Sequence, residues 1–530
     1  MVTDRGGVKR ALSVRIDGVI APERFNAAEF FVDRHVAEGR GARTVFRAAG
    51  GVTTYGELAE AVSRAAHVFA SLGVEIENRV VLVLPDSPLF AAAFWGALKL
   101  GAVAVPLNTL MSPEDYAFIL DDSRAKVVIA DDTLLPTLET VGGRCRWVRA
   151  VVGVRELEML MARAPATLEA TPTVREDIAY WGYTSGSTGR PKAAVHSHKD
   201  FLAAADLVGV GIFGLGPDDL VFSASKMYFA FGLGNALYFP ARVGAASVLL
   251  AERVTPERAL EVIAAERPTA FFAVATLYAR MLEVTDAGRR WDLSSLRLCV
   301  SSGEALPPAV FDAWRARFGH ELVDVVGSTE ALHDFIANRP GAVRRGSAGR
   351  VVPGFEARLV DDAGDPTPTG TVGHLLIKGE TLSPYYWNRL ERTRATMLGE
   401  WVRTGDMFSQ DADGYFYFAG RSDDMLKVAG QWVSPAEIEA LLVEHPAVLE
   451  AGVVGAADAD GLTTAHAFIV LTSGHAPASA TETEALAAEL RGWVKQRAAG
   501  YKVPRVIEFV ADLPKTATGK IQRFRLRTLT

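Results

Sequence analysis

Two hydrophobic rhythms alternate along the chain: short β-rich apolar runs, and longer segments in which apolar residues return every three or four positions. Phe90–Leu100 has the helical spacing and ends at Gly101, and Ala102–Pro106 then reads as a strand. Pro113–Leu120 repeats the helix and Ala125–Ala130 the strand. Further on, Pro256–Glu266, Leu277–Glu283 and Pro308–Phe318 predict helices interleaved with strands at Ala270–Val274 and Leu296–Val300. Such alternation predicts an α/β fold with mixed or parallel sheets, because parallel neighbours need a crossover between them. The pattern changes towards the C-terminus. Asp411–Ala419 has the form of a hairpin turning at Asp413-Gly414. Ser434-Pro435-Ala436-Glu437 is a helix start with a capping box and proline in the first turn. Ala451–Val454 and Ala467–Leu471 are strand-like, and Thr481-Glu482-Thr483-Glu484 opens a helix running to about Ala498. The last segment is therefore a small α+β unit. A boundary near Arg421 divides the chain into a large N-terminal domain, 1–420, and a small C-terminal domain, 421–530.

A chain of 530 residues exceeds what one core usually serves, which also calls for at least two domains. The net charge is −7 and no basic block occurs in the sequence, which argues against nucleic acid as the main partner. Cys145 and Cys299 are the only 2 cysteines, so a disulfide scaffold and a cysteine metal site are both excluded. The N-terminal residues carry charges throughout and have no apolar core of a signal peptide. The most apolar stretches, Ala91–Pro106 and Ala236–Ala251, are interrupted by Lys99 and Arg242 and are too short to span a bilayer. The expectation is a cytoplasmic protein without a membrane span.

The strand-like run Ile178–Tyr183 leads into Thr184, Ser185, Gly186, Ser187, Thr188 and Gly189, followed by Arg190, Pro191 and Lys192. Backbone N–H groups and hydroxyls in such a loop can cradle phosphates, with Lys192 adding charge; a solvated Ser/Gly loop is the plain alternative. It is not a Walker A loop, because Arg190-Pro191 separates Gly189 from Lys192. Two other patterns mislead. Gly209-Val210-Gly211-Ile212-Phe213-Gly214 fits a dinucleotide fingerprint, but Gly216-Pro217-Asp218-Asp219 leaves no helix after it. His196 and His198 have metal-ligand spacing in a strand but no accompanying carboxylate or cysteine pattern, and read as supporting or structural residues.

Thr184–Lys192 resembles the phosphate-loop signature of the adenylate-forming superfamily, which includes acyl- and aryl-CoA synthetases, peptide-synthetase adenylation domains and luciferases. Further signatures follow in order: Ser302-Gly303-Glu304-Ala305, Gly327-Ser328-Thr329-Glu330, Thr404-Gly405-Asp406, Gly420–Asp424, and Pro514–Lys520. The resemblance covers nearly the whole chain from about Phe25. It is closest to benzoate-CoA ligase-like enzymes through Lys226–Pro240, Gly327–Pro340 and Asp423–Pro435.

This resemblance implies ATP, Mg²⁺ and CoA as the small-molecule partners, and an aromatic acid as the substrate. It implies that Gly303, Glu304 and Ala305 contact the nucleotide, that Thr329 contacts the α-phosphate, and that Glu330 holds Mg²⁺. Asp406 and Arg421 would bind the ribose. Lys520 would hold both reactants where the carboxylate attacks the α-phosphate. Asp423 matches a hinge about which the small domain rotates between the two half-reactions. Lys427, Gly430, Gln431 and Trp432 would then line the thiol tunnel, Gly430 allowing close backbone approach. Tyr228, Phe229, Gly327, His333 and Asp334 fall at the acyl pocket; for the aromatic residues, core packing is the competing reading, and for His333 a structural role. The sequence departs from the family at Ala193-Ala194, where Gly-Val is usual, and at Asp334, where benzoate ligases have an aliphatic residue. The second departure points to a hydroxy- or amino-substituted benzoate, unless Asp334 pairs internally, for instance with Lys226 or Lys427. An enzyme that loads a separate carrier protein is the alternative to a CoA ligase, and a non-catalytic binding protein is opposed by Lys520, Glu330 and Asp406. A homodimer is compatible with the sequence.

Overall fold

The structure, a computed structural model, describes residues 21–184, 190–428, 431–457, 463–475, 477–515 and 521–530, without the side chains of Lys427, Gln431 and Trp432. Ser185, Gly186, Ser187, Thr188, Gly189, Gly430 and Lys520 therefore lie outside the described residues.

Two sheets dominate the large N-terminal domain. One has 6 strands in the order Ala150–Gly153, Val127–Ala130, Arg79–Val83, Val103–Pro106, Ile178–Thr184 and Lys192–Ser197. All neighbours are parallel except the last pair, which the phosphate loop joins antiparallel, with Thr184 opposite Lys192. The second sheet has 9 strands; Leu322–Gly327, Leu298–Ser301, Ala270–Ala273, Leu220–Ser223, Ala246–Val248 and Thr44–Ala48 form its parallel centre. Its ends are antiparallel, and at one of them Asp334–Ala337 pairs with Leu322–Gly327, setting Asp334 opposite Gly327.

Helix Pro88–Lys99 is apolar over almost every position, and every residue from Phe90 onward is buried. A helix apolar all round belongs inside a layered domain rather than on its surface. Gly96 makes this possible: a Cβ there would lie 2.9 Å from Ala65 Cβ on helix Tyr55–Ser71. Lys99 is buried with it and donates to Asp33 at 2.9 Å and to Ser63 at 3.1 Å, so the charge is paired inside the core. Serine or threonine followed by proline starts four helices, at Ser87, Ser112, Thr255 and Ser434, each hydroxyl accepting from the N–H three residues on. That shared start is why three of these helices begin where the sequence places them, at Pro113, Pro256 and Pro435, while the first begins at Pro88, two residues ahead of the predicted Phe90.

A third, antiparallel sheet comprises Phe355–Val360, Gly373–Gly379, Trp401–Gln410, Met397–Leu398 and Phe416–Arg421. The Asp411–Ala419 hairpin is part of it: Asp411 accepts from Asp413 and Tyr415 N–H groups across the turn. The smaller C-terminal domain has a two-stranded ribbon, Leu426–Val428 with Gln431–Val433, and a sheet of Val448–Ala457, Thr463–Leu471 and Val506–Phe509. Helices Pro435–Val443 and Ala480–Lys495 complete it, the second capped by Ser479 two residues ahead of the predicted start. The Gly209–Gly214 pattern belongs to no strand–turn–helix unit: Ala205–Val210 is itself helical, as the absence of a following helix implied. Ala193 and Ala194 lie in a strand, fully buried and without positive φ, so alanine fits there.

Gly349 fixes how the nine-stranded sheet meets the hairpin. Its φ is +101°, a Cβ would fall 2.0 Å from the Ala337 carbonyl carbon, and its carbonyl accepts from Phe416 N–H at 2.8 Å. Gly349→Ala combines left-handed strain with overpacking against backbone and is expected to destabilise by about 2–5 kcal/mol. A thermal unfolding midpoint equal to the parent's would contradict this account of the junction.

Candidate active site

Strand Ile178–Thr184 ends at the phosphate loop, and Lys192 is the first residue of the returning strand. Lys192 Nζ lies 2.6 Å from the Tyr386 hydroxyl, 3.3 Å from Glu330 Oε1 and 3.8 Å from the centre of the Tyr386 ring. The Tyr386 hydroxyl donates to Glu330 Oε1 at 2.5 Å. Three residues from separate parts of the chain thus share one largely buried point. Burial alone would push the Glu330 carboxyl up, but the Lys192 charge, the Tyr386 hydroxyl and a backbone N–H together hold it below the ordinary carboxylate value. Burial pushes the Lys192 ammonium down, and its attraction to Glu330 offsets this only in part. Tyr386 is raised above the ordinary phenol value by burial and then by the Glu330 charge, so it stays a donor.

The turn carrying Thr329 and Glu330 is held from several sides. Ser328 caps it by accepting from Ala331 N–H, and Leu332 leaves it at φ +64°. His196 Nε2 donates to the Thr329 carbonyl at 2.7 Å, its Nδ1 lying 3.2 Å from Asp200 Oδ2. Thr381 Oγ1 donates to the Ala331 carbonyl and Ser383 N–H to the Glu330 carbonyl, each at 2.7 Å. A Cβ on Gly182 would stand 2.4 Å from Thr329 Cγ2, so the neighbouring strand leaves room for Thr329 only because residue 182 has no side chain. His196 is thus a supporting residue, and buried His198 is structural, accepting from Ala27 N–H at 3.1 Å. Tyr386 and Gly182 escaped the sequence reading. Neither stands in a recognised signature; the pairing of Ala194 with Tyr386, with Ser383 and Trp387 bonded on either side, brings the tyrosine to Glu330.

Asp406 and Arg421 face each other across strands Trp401–Gln410 and Phe416–Arg421. Arg421 Nη1 donates to Asp406 Oδ1 and to the Thr404 carbonyl, both at 3.0 Å. Burial would lower the guanidinium, but Asp406 and Asp423 raise it overall. The Arg421 charge also acts on Lys192 and Glu330, which ties this pair to the first cluster. Asp423 is in the turn after Arg421, 3.5 Å from Arg421 Nε, and its carbonyl accepts from Arg527.

Gly303 follows strand Leu298–Ser301 with φ +92°, and Glu304 Oε1 accepts from Thr276 N–H at 2.5 Å. Gly303 and Ala305 are exposed. Thr276 lies in the first turn of helix Ala275–Glu283, whose Arg280 donates to Glu450 and Asp512 of the small domain, each at 2.9 Å. Lys515 also pairs with Glu450 and forms an isolated antiparallel bridge with Ile521. Lys515 therefore shares Glu450 with Arg280, on the helix whose Thr276 N–H bonds Glu304.

His333 and Asp334 are buried, with relative exposures of 3% and 2%. The His333 ring packs against Phe239 at 4.4 Å and Phe231 at 5.5 Å, and its Nε2 donates to the Phe231 carbonyl at 3.3 Å. Gly234 leaves the room, since a Cβ there would lie 2.3 Å from the ring. Ser302 donates to Asp334 Oδ1 at 3.3 Å. His333 Nδ1 lies 2.9 Å from Asp334 Oδ2, but without hydrogen-bond alignment, so Oδ2 is buried with no hydrogen-bonding donor among the described residues. A Cβ on Gly327 would meet Asp334 Oδ1 at 2.6 Å. Lys226 is not the partner of Asp334: it donates to the Leu250 and Glu252 carbonyls and lies 3.9 Å from Asp86. Tyr228 and Phe229 are half-buried, their rings 4.7 Å apart edge to face, and burial pushes the Tyr228 phenol up to about 12.

No cluster of three or more His, Cys, Asp or Glu residues suited to a metal occurs among the described residues. Thr329 and Glu330 nevertheless offer hard oxygen donors, the set that Mg²⁺ uses when phosphates supply the remaining ligands.

Residues 33–387 match the AMP-binding enzyme family and residues 437–520 the AMP-binding enzyme C-terminal domain. The chain is 45% identical to the benzoate–CoA ligase of Thauera aromatica, over 96% of each chain. It is 44% identical to the 4-hydroxybenzoate–CoA/benzoate–CoA ligase of Rhodopseudomonas palustris, over 96% of this chain and 94% of that one. The crystal structure of the anthranilate CoA ligase AuaEII in complex with anthranoyl-AMP superposes with a TM-score of 0.93 at 41% identity, covering 96% of this chain and 98% of that one. With both domains matched, the chain belongs to the AMP-binding enzyme family.

Proposed function

We propose that the protein is an AMP-forming aryl-CoA ligase that acts on an amino- or hydroxy-substituted benzoate. The observation that carries this reading is the convergence of Lys192, Tyr386 and Glu330 beside the Asp406–Arg421 pair. In the first half-reaction a carboxylate oxygen of the acid attacks the α-phosphorus of ATP; the bond to the bridging oxygen breaks and pyrophosphate leaves. In the second, the CoA sulfur bonds to the acyl carbon, AMP departs with its oxygen, and the thiol proton passes to solvent. Residues 1–420 bind acid and nucleotide, residues 421–530 bring Lys520 to the reacting atoms, and Asp423 is the hinge between them. The acceptor is free CoA and the compartment is the cytoplasm.

Lys192 and Glu330 neutralise each other in the free enzyme. ATP would supply both with better partners: phosphate oxygens for the ammonium, and for the Glu330 carboxylate the Mg²⁺ that accompanies them, while Thr329 would contact the α-phosphate. When bound, that ion offsets negative charge on the phosphates. Asp406 accepts from the ribose hydroxyls while Arg421 keeps its carboxylate oriented. The phosphate loop and Lys520 complete the electrostatic stabilisation of the transition state.

The ring substituent is read by Asp334. A buried carboxylate oxygen without a donor is costly, and a ring N–H or O–H brought to Asp334 supplies one. Relatives that act on 4-hydroxybenzoate, and one seen with anthranoyl-AMP, fit this reading.

The reaction is tested by incubating a panel of aryl acids with ATP and Mg²⁺, with and without CoA. Substituted benzoates should support ATP–pyrophosphate exchange, and acyl-CoA should form when CoA is present; exchange without thioester would overturn the assignment of CoA. In kcat/KM, Asp334→Ile should shift preference towards unsubstituted benzoate by about tenfold or more; an unchanged ratio of benzoate to aminobenzoate would show that Asp334 does not read the ring. Lys520→Ala should lower adenylate formation about 10²–10³-fold while supplied acyl-adenylate still reacts with CoA. Equal loss of both half-reactions would contradict this division of labour. Tyr386→Phe keeps the ring over Lys192 but removes a hydrogen bond that holds the Glu330 carboxyl low. Because the ionised carboxylate is the active form, the acid limb of the pH–rate profile should move to higher pH. A profile shifted the other way, or unmoved, would exclude Tyr386 from tuning Glu330.

A further inference from the structure

Away from the active site, Asn78, Arg79, Arg124, Lys126, Arg146, Trp147 and Arg149 line a recess of about 270 Å³. Strand direction places it opposite the phosphate loop. Arg79 begins its strand, and Lys126 and Arg149 immediately precede theirs, whereas the phosphate loop follows the C-terminal end of Ile178–Thr184. Five cations meet there from three segments of a chain whose net charge is −7. No carboxylate lines the recess, and among the described residues none of the five makes an ion pair within 4.0 Å.

The cations are nonetheless arranged. Arg79 is held by the Ser123 and Glu77 carbonyls at 2.6 and 2.7 Å. Arg124 projects from a left-handed position, φ +52°, that only special circumstances favour outside glycine. Arg146 lies 4.1 Å and Arg124 5.5 Å from the centre of the Trp147 ring, which fixes two guanidinium groups through one indole. Among the described residues, Glu77 is the one carboxylate whose charge acts on Arg79, from outside the recess; like charges brought together with no carboxylate among them destabilise a fold, and such an arrangement matches a multiply charged anion. Arginine forks suit phosphate oxygens. The small concave volume favours a compact anion over a broad acidic protein surface.

We propose that this recess is a second, non-catalytic site for an oligophosphate anion, free or carried by a nucleotide. The test uses the full chain with its active site filled by a non-hydrolysable acyl-adenylate analogue. Inorganic pyrophosphate, ATP and 3′,5′-ADP are titrated separately, with binding followed by calorimetry and by the shift in unfolding temperature. At least one should bind with one further equivalent per chain and raise the unfolding temperature, and added salt should weaken it. The Arg146→Glu/Arg149→Glu double variant should lose that affinity by about tenfold or more while turnover at saturating substrates is unchanged. Which probe binds most tightly separates free phosphate from a nucleotide source. Arg149→Ala alone, without ligand, should unfold at the same temperature as the parent or higher, since it relieves repulsion. No further equivalent of any probe, binding that survives the double variant, a lower unfolding temperature in Arg149→Ala, or binding of polyglutamate in place of all three phosphates would each overturn the proposal.

Discussion

An ammonium and a carboxylate drawn from different sheets share one buried point, and much of the N-terminal architecture serves to bring them there. Lys192 comes from the edge strand of the six-stranded sheet, while Glu330 comes from the turn leaving the nine-stranded sheet. Neither charge could be buried alone at acceptable cost, and the Tyr386 hydroxyl gives both a further polar contact. His196, Thr381 and Ser383 hold the backbone of the Glu330 turn, so the carboxylate is positioned before any ligand arrives. Preorganisation of this kind lets phosphates exchange for existing partners instead of ordering a loose site.

The acyl end of the site obeys the same rule with a different outcome. Around His333 and Asp334 the wall is aromatic, and glycines at 234 and 327 make room for the two buried polar groups. Asp324 lies in the same sheet and is likewise buried with an oxygen lacking a donor among the described residues; burial, then the Asp334 charge, raises its carboxyl well above the ordinary value. Asp334 has one serine donor, on Oδ1, so its unmet hydrogen-bonding capacity lies on Oδ2.

Regular elements were legible because local chemistry agreed with tertiary packing. The Ser-Pro and Thr-Pro starts are strong local signals, and Pro256–Glu266 and Pro308–Phe318 have the expected bounds. The ordered signatures likewise identified Lys192, Glu330, Asp406 and Arg421 as neighbours in function, and the structure brings them together. Tyr386 and Gly182 were not legible, because their significance depends on a contact between distant segments. The basic recess was hidden for the same reason: no basic block exists in the sequence, and Arg79, Lys126 and Arg149 become neighbours only because their strands lie side by side. The Asp334 reading was half visible. Its chemistry stood out in the sequence, but Ser302 as its donor and Lys226 bound elsewhere required the fold.

If the free enzyme stores its phosphate-binding charges as a mutual pair, the two side chains must be coupled before nucleotide binds and largely uncoupled afterwards. A double-mutant cycle of Lys192→Met and Glu330→Gln addresses this directly, read as unfolding stability first without ligand and then with saturating Mg²⁺-ATP. The account predicts clear non-additivity in stability, because either single change leaves one buried charge uncompensated, and near-additive losses in the stability of the nucleotide-bound enzyme. Additive effects on the free enzyme would contradict it.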